Sequence, residues 1–211
     1  LLILRHRDPW LHTLRALPVD VKTTIASFRA FAEWLPITCI LIAAAALDRR
    51  RRTLLTHAAL AILVALALQW AGKHTIARTR PYAFKGNHWT ETWKELRFGF
   101  RKPAQQAFPS GHSAVAFAFG LALASFYRPI RWMFIALAVG CAVSRILEVA
   151  HWPTDCYVGA LCGWLGWRTA KWICSRTQPA DPAKHHVGVN HAAHQPDPPA
   201  DAARPAPDAP A

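Results

Sequence analysis

The chain has 211 residues, 53% of them hydrophobic and 18% charged, against about 25% charged in an average soluble domain. Lys and Arg number 25 against 12 Asp and Glu, a formal charge of +13. These figures exclude fibrous, collagen-like and wholly disordered chains, and the basicity points to nucleic acid, an anionic membrane surface or a phosphorylated substrate.

Residues 1–32 mix basic, apolar and aromatic positions. They are too polar to span a bilayer, and one or two interfacial amphipathic helices are expected there. The chain opens at Leu1 rather than Met. Leu1 to Leu4 read equally as the tail of an upstream apolar helix or as a ragged start. Apolar runs follow at 34–47, 54–72, 113–127, 132–143 and 157–173. A spanning helix needs ~20 mainly apolar residues, so the shorter runs must borrow flanking residues or else be buried helices of a soluble all-α protein. Five runs in so short a chain favour an all-α integral membrane bundle of about five spans, or six if an N-terminal one is missing. The five cysteines lie scattered, mostly inside these runs, with no CxxC pair. They read as small buried hydrophobes, with neither a disulfide framework nor a zinc site expected.

Arg49 to Arg52, Arg128 with Arg131, and Arg168, Lys171 and Arg176 fall on one side of alternating crossings, which the positive-inside rule makes cytoplasmic. The Lys73–His112 loop and the 144–156 connection then share the opposite side. After Thr177 the sequence turns to Pro, Ala, Asp and His and lacks the apolar content to pack, so a disordered tail is expected. The expected organisation is an interfacial segment 1–32, a membrane core 33–176 and a tail 177–211.

Three polar clusters stand on the outer side. In KHTIARTRP, Lys73 and Arg80 are seven residues apart, two turns if the helix continues to Pro81. Converging cations suit phosphate, which Arg grips with paired hydrogen bonds and Lys meets as a point charge. Alone, the cluster reads more readily as basic residues snorkelling at a helix end. In PSGH, Ser110 can cap the helix of the third apolar run, Gly111 lets backbone approach a ligand, and His112 would stand beside an anion at the helix start. In SRILEVAHWPTD, His151 and Asp155 are four residues apart, a pair on one helical face, whereas Pro153 suggests a helix start at that point. A carboxylate behind a His ring fixes its tautomer and leaves the other nitrogen as base or nucleophile. One His and one carboxylate are too few for a metal.

Together the clusters resemble the signature of the type-2 phosphatidic acid phosphatase family, which also holds vanadium haloperoxidases and bacterial acid phosphatases. Lys73, six residues, Arg80-Pro81; Pro109-Ser110-Gly111-His112; Ser144-Arg145, five residues, His151, three residues, Asp155 fit its pattern in order and spacing, and the resemblance covers roughly residues 34–174. It implies that His151 attacks phosphorus and becomes phosphohistidine, that Asp155 orients it, and that His112 protonates the leaving oxygen and then activates water. Lys73, Arg80, Arg145, Ser110 and Gly111 would bind the phosphoryl oxygens. Arg78 either adds to the anion field or only anchors the helix end. Glu148 and Ala150 stand where relatives often carry small residues or Gly, and Glu148 either pairs with Arg145 and lowers its affinity for phosphate or faces away.

The resemblance implies a phosphatase without metal or cofactor, set in a bacterial inner membrane with its site on the periplasmic side. Its substrate would be a lipid phosphate or diphosphate: phosphatidate, phosphatidylglycerol phosphate, undecaprenyl diphosphate or lipid A. Trp89, Trp93, Phe98 and Phe100 among basic residues suit either a lateral lipid entrance or a merely interfacial loop. The rival readings are a vanadate-dependent haloperoxidase-like enzyme and a non-catalytic protein that binds anionic lipid. Nucleic-acid binding lacks any recognised fold, and no oligomeric state is legible.

Overall fold

The computed structural model describes residues 13–14, 16–48, 51–85, 89–96 and 102–177. Residues 1–12, Arg49 and Arg50, Phe98 and Phe100, and the tail from 178 onward lie outside the described residues. Six helices account for most of the rest: α1 (Val19–Ala26), α2 (Trp34–Leu47), α3 (Arg51–Thr75), α4 (Gly111–Phe126), α5 (Arg131–Leu147) and α6 (Pro153–Thr177). A 3₁₀ turn, Ser27–Ala32, joins α1 to α2. Each expected apolar run lies within one of α2 to α6, apart from Tyr127, which follows α4 directly.

Arg52–Thr75 and Arg128–Leu147 are long and apolar enough to cross a membrane; Val19–Ala32 with Trp34–Leu47 makes a third if the two pieces, bent by 55°, count as one span. By length and composition the described helices therefore give two or three spans. Helix α4 is apolar but has 16 residues, about 24 Å of rise. The apolar exterior is what a bilayer solvates: Trp34 is 78% exposed, Leu63 63% and Trp132 66%, a distribution that water would penalise. The chain is a helical membrane protein.

Packing follows the rule for helices that gain no hydrophobic drive from one another in lipid: small residues let backbones approach. Ala61, Ala65, Ala114, Ala118 and Ala170 are fully buried together. Helix α6 turns Gly159, Gly163 and Gly166 inward, and a methyl on them would lie 2.4 Å from the Ser110 carbonyl oxygen, 2.5 Å from that of Ala114 and 2.3 Å from that of Ala61. So α6 rests directly on the backbones of α3 and α4. A second cluster, built on Phe119, Leu123, Leu54, Cys141 and Phe31, ties α4 to α3, α5 and the 3₁₀ turn.

The loop after α3 departs from the expected helix. The chain leaves α3 at Thr75 and forms β1 (Ile76–Arg78), which pairs antiparallel with β2 (Trp93–Leu96). Lys73 and Arg80 therefore do not share a helical face. The Thr75 hydroxyl turns back to the Ala71 carbonyl at 2.7 Å, and β-branched Ile76 is at ease in the extended backbone that follows.

Candidate active site

The three polar clusters meet at one end of the bundle. Ser110 is the N-cap of α4: its Oγ accepts from the Ser113 N–H at 3.4 Å and from the Ser113 hydroxyl at 3.1 Å. Its own N–H donates to the Asp155 backbone carbonyl at 2.9 Å, which binds the second cluster to the third. The first cluster joins at Gly111. A methyl there would lie 3.2 Å from Gln69 Oε1 and 3.9 Å from Lys73 Nζ, so the open side of Gly111 faces the lysine. Arg80 and Arg145 lie within electrostatic reach of Lys73, and His112 lies within reach of Arg145, His151 and Lys73. The helix start supplies backbone N–H donors to the same place.

His151 is not on a helix. Helix α5 ends at Leu147, and Val149 takes φ 58°, a left-handed backbone that costs a β-branched residue energy. The turn is closed by the His151 N–H on the Arg145 carbonyl at 3.1 Å. Pro153 then opens α6, with Asp155 in its first turn. Of the two readings the sequence left open for this pair, the helix start at Pro153 is the one observed. The His151 Nδ1 lies 2.7 Å from the Ala107 carbonyl and 3.8 Å from Asp155 Oδ2. A carbonyl only accepts, so Nδ1 carries the proton and Nε2 keeps its lone pair. His151 is 2% exposed. Burial pushes its pKa below the ordinary value, Arg80 pushes the same way, and Asp155 and the Ala107 carbonyl pull back in part. The lowered pKa favours the neutral ring.

Asp155 is fully buried and spoken for. Its Oδ2 accepts from the Trp152 N–H at 2.9 Å, and its Oδ1 accepts from Arg78 Nη1 at 2.5 Å. Arg78 is 2% exposed; it also donates to Thr154 Oγ1 at 2.5 Å and Thr92 Oγ1 at 3.2 Å. Its guanidinium lies 4.1 Å from the centre of the Trp93 ring and 5.3 Å from that of Trp152, a cation between two aromatic faces. Burial lowers the Arg78 pKa and Asp155 raises it again. Neither reading the sequence allowed for Arg78 describes it: it stands in β1, beyond the helix end, and its charge goes to Asp155. The sequence signal was a third cation beside the motif pair, with nothing to say which way it turned.

The remaining cations differ in how they are occupied. Arg80 reaches the Gln106 carbonyl at 3.5 Å, while its Nε is buried without a hydrogen-bond partner. Arg145 Nη1 is ion-paired with Glu148 Oε2, so Glu148 turns toward the site rather than away. Trp93, expected at a lipid entrance or interface, packs under Arg78 and against Phe108, ring centres 5.4 Å apart. Among the described residues, no three His, Cys, Asp or Glu side chains group to hold a metal ion.

Residues 54–185 match the PAP2 superfamily; this is more than half of the sequence, and the chain is a helical membrane phosphatase belonging to that superfamily. It is 28% identical over 170 residues to an Escherichia coli K12 protein, YbjG, provisionally named an undecaprenyl-diphosphatase, covering 78% of this chain and 74% of that protein. Shorter matches are to the lipid A 1-phosphatase of Rhizobium etli, 40% identical over 32% of this chain and 29% of the relative, and to phosphatidylglycerophosphatase B of E. coli K12, 33% identical over 38% of this chain and 34% of the relative. The fold is similar to the crystal structure of Aquifex aeolicus LpxE, with a TM-score of 0.61 at 21% identity over 76% of this chain and 92% of that one.

Proposed function

We propose that the chain hydrolyses a lipid phosphate monoester or a prenyl diphosphate through a phosphohistidine. The observation that carries this reading is the Nδ1 bond of His151 to the Ala107 carbonyl, which leaves Nε2 unprotonated beside a group of cations. In the first step the Nε2 lone pair forms a bond to phosphorus while the bond from phosphorus to the lipid oxygen breaks, and His112 gives that oxygen its proton. In the second step His112 takes a proton from water, the hydroxide oxygen bonds to phosphorus, and the phosphorus–nitrogen bond breaks to release phosphate. Lys73, Arg80, Arg145, Ser110 and the Gly111 N–H stabilise the equatorial oxygens, where the charge of the transition state lies. Asp155, held by Arg78, supports the positive charge that develops on His151 across 3.8 Å.

The relatives' names make undecaprenyl diphosphate, lipid A 1-phosphate and phosphatidylglycerophosphate the substrates to compare. We place residues 33–176 as the phosphatase core of about five spans, with 1–32 at the interface and 177–211 as a tail. The site faces the periplasm of a bacterial inner membrane, because Arg52, Arg128, Arg131 and Arg176 lie at the other end of the bundle's helices and basic loops stay inside. The test is phosphate release from a panel of these lipids, with EDTA present, by wild type and His151→Ala. Release by wild type and loss of at least about a thousandfold in the variant is expected; undiminished release by His151→Ala refutes the nucleophile.

A further inference from the structure

An alternating run of charges leads from the N-terminal segment into the site: Glu33, Arg29, Glu148, Arg145. Arg29 Nε donates to Glu33 Oε1 at 2.9 Å, and Arg29 Nη1 lies 3.9 Å from Glu148 Oε2, the same oxygen that pairs with Arg145 Nη1. Glu148 is thus shared between two guanidiniums, one outside the site and one within it. Its Oε1 and the Arg145 Nε are buried with no hydrogen-bond partner, so the pair is incompletely satisfied, a state that carries a cost in a partly dry place.

Arg29 is brought there by tertiary packing. The 3₁₀ turn that carries it seats Phe28 on Gly140 of α5, where a methyl would lie 2.6 Å from Phe28 Cδ1. Phe31 is buried against Phe119, ring centres 5.5 Å apart. With both neighbours anchored, Arg29 is held beside the C-cap of α5, where Glu148 stands.

We propose that Glu148 is a positioning residue that competes with a phosphoryl oxygen for Arg145, and that Arg29 receives its carboxylate when phosphate binds. The inference rests on the reading of Arg145 as a phosphoryl ligand. In the empty site the carboxylate takes the place of one phosphoryl oxygen on the guanidinium. When a phosphoryl group arrives, the carboxylate moves the short way to Arg29 and keeps an ion pair. When product phosphate loosens, the carboxylate returns and hastens its departure. The two flanking changes must therefore act in opposite directions. Removing the competitor tightens anion binding; removing its alternative partner strands it on Arg145 and weakens anion binding.

The test is orthovanadate and orthophosphate binding to the detergent-solubilised full chain, by titration calorimetry, with product inhibition of lipid hydrolysis as a second readout. Glu148→Gln, and Glu148→Ala as a second probe, are expected to lower the Kd for both anions about tenfold. Arg29→Gln is expected to raise it several-fold, and to have no effect in the Glu148→Gln background. Equal anion affinity in wild type and both Glu148 variants, or an Arg29→Gln effect that persists without Glu148, overturns the inference. Arg145→Ala separates the two layers: if it leaves anion affinity unchanged, the site reading itself fails, whereas lost affinity there with silent Glu148 variants removes only the competition.

Discussion

Replacing Arg78 by Met leaves the Asp155 carboxylate, fully buried, without its cation. Removing one partner of a buried pair costs about 3–5 kcal/mol, because the other charge stays in a dry place uncompensated. The loss of hydrogen bonds to Thr92 and Thr154 and of the stacking on Trp93 adds to this. Since a domain's whole stability is about 5–15 kcal/mol, Arg78→Met should be poorly folded. Arg78→Lys keeps the charge but not the fork that reaches Asp155 and both threonines at once, and should lose about 1–2 kcal/mol. The decisive comparison is the cycle with Asp155→Asn. Once the carboxylate is neutral, the penalty for an unpaired charge disappears, so Arg78→Met with Asp155→Asn should lose at least about 2 kcal/mol less than the sum of the single losses. The assay is reversible unfolding in mixed micelles, followed by circular dichroism. Single effects that add within about 0.5 kcal/mol would show that Arg78 and Asp155 are neighbours without being a pair.

Two further outcomes follow from the geometry. Burial holds the His151 pKa below its ordinary value and the neutral ring is the proposed nucleophile, so activity should persist as pH falls below about 6.5 and be lost only through the lowered pKa. The acid limb of kcat/KM, corrected for the substrate phosphate's own ionisation near about pH 6, reads this directly; a limb at or above 6.5 contradicts it. Gly159→Ala places a methyl 2.4 Å from the Ser110 carbonyl oxygen, so α6 or the α4 cap must shift. The expected result is at least a tenfold fall in kcat/KM with about 1–3 kcal/mol lost from overpacking; wild-type kinetics and thermal stability would mean the approach is looser than it stands here.

The positions of the candidate site residues were legible because their chemistry is local to short motifs: a Ser before a helix, a His beside it, a Pro opening the next helix. What the motifs could not carry was direction. Lys73 and Arg80 keep the spacing of two helical turns, yet the chain turns to a strand between them, because β1 finds a partner in β2, fifteen residues beyond its own end (Arg78 to Trp93). Asp155 has the spacing to touch His151, but two closer donors, Arg78 and the Trp152 N–H, hold it. Arg78 itself was visible only as one more cation in a basic loop, since its partners come from Thr92 and Trp93, at the start of β2, and from the start of α6. Glu148 was legible as a departure, and its direction became clear only with the C-cap of α5 in place. The apolar runs gave the helices, but length and composition alone give fewer spans than runs, because α4 is short and α6 carries Arg168, Lys171 and Arg176.

The acceptor that fixes the His151 proton is a backbone carbonyl, and this changes how the site can vary. No single side-chain replacement deletes the Ala107 oxygen, so the proton inventory of the ring is insulated from point substitution at its own acceptor. It is exposed instead to changes of length. An insertion or deletion between Lys102 and Phe108 would move that oxygen while leaving every motif residue in the sequence, and a chain altered in that way would keep the full signature yet lose the acceptor that holds the ring proton on Nδ1.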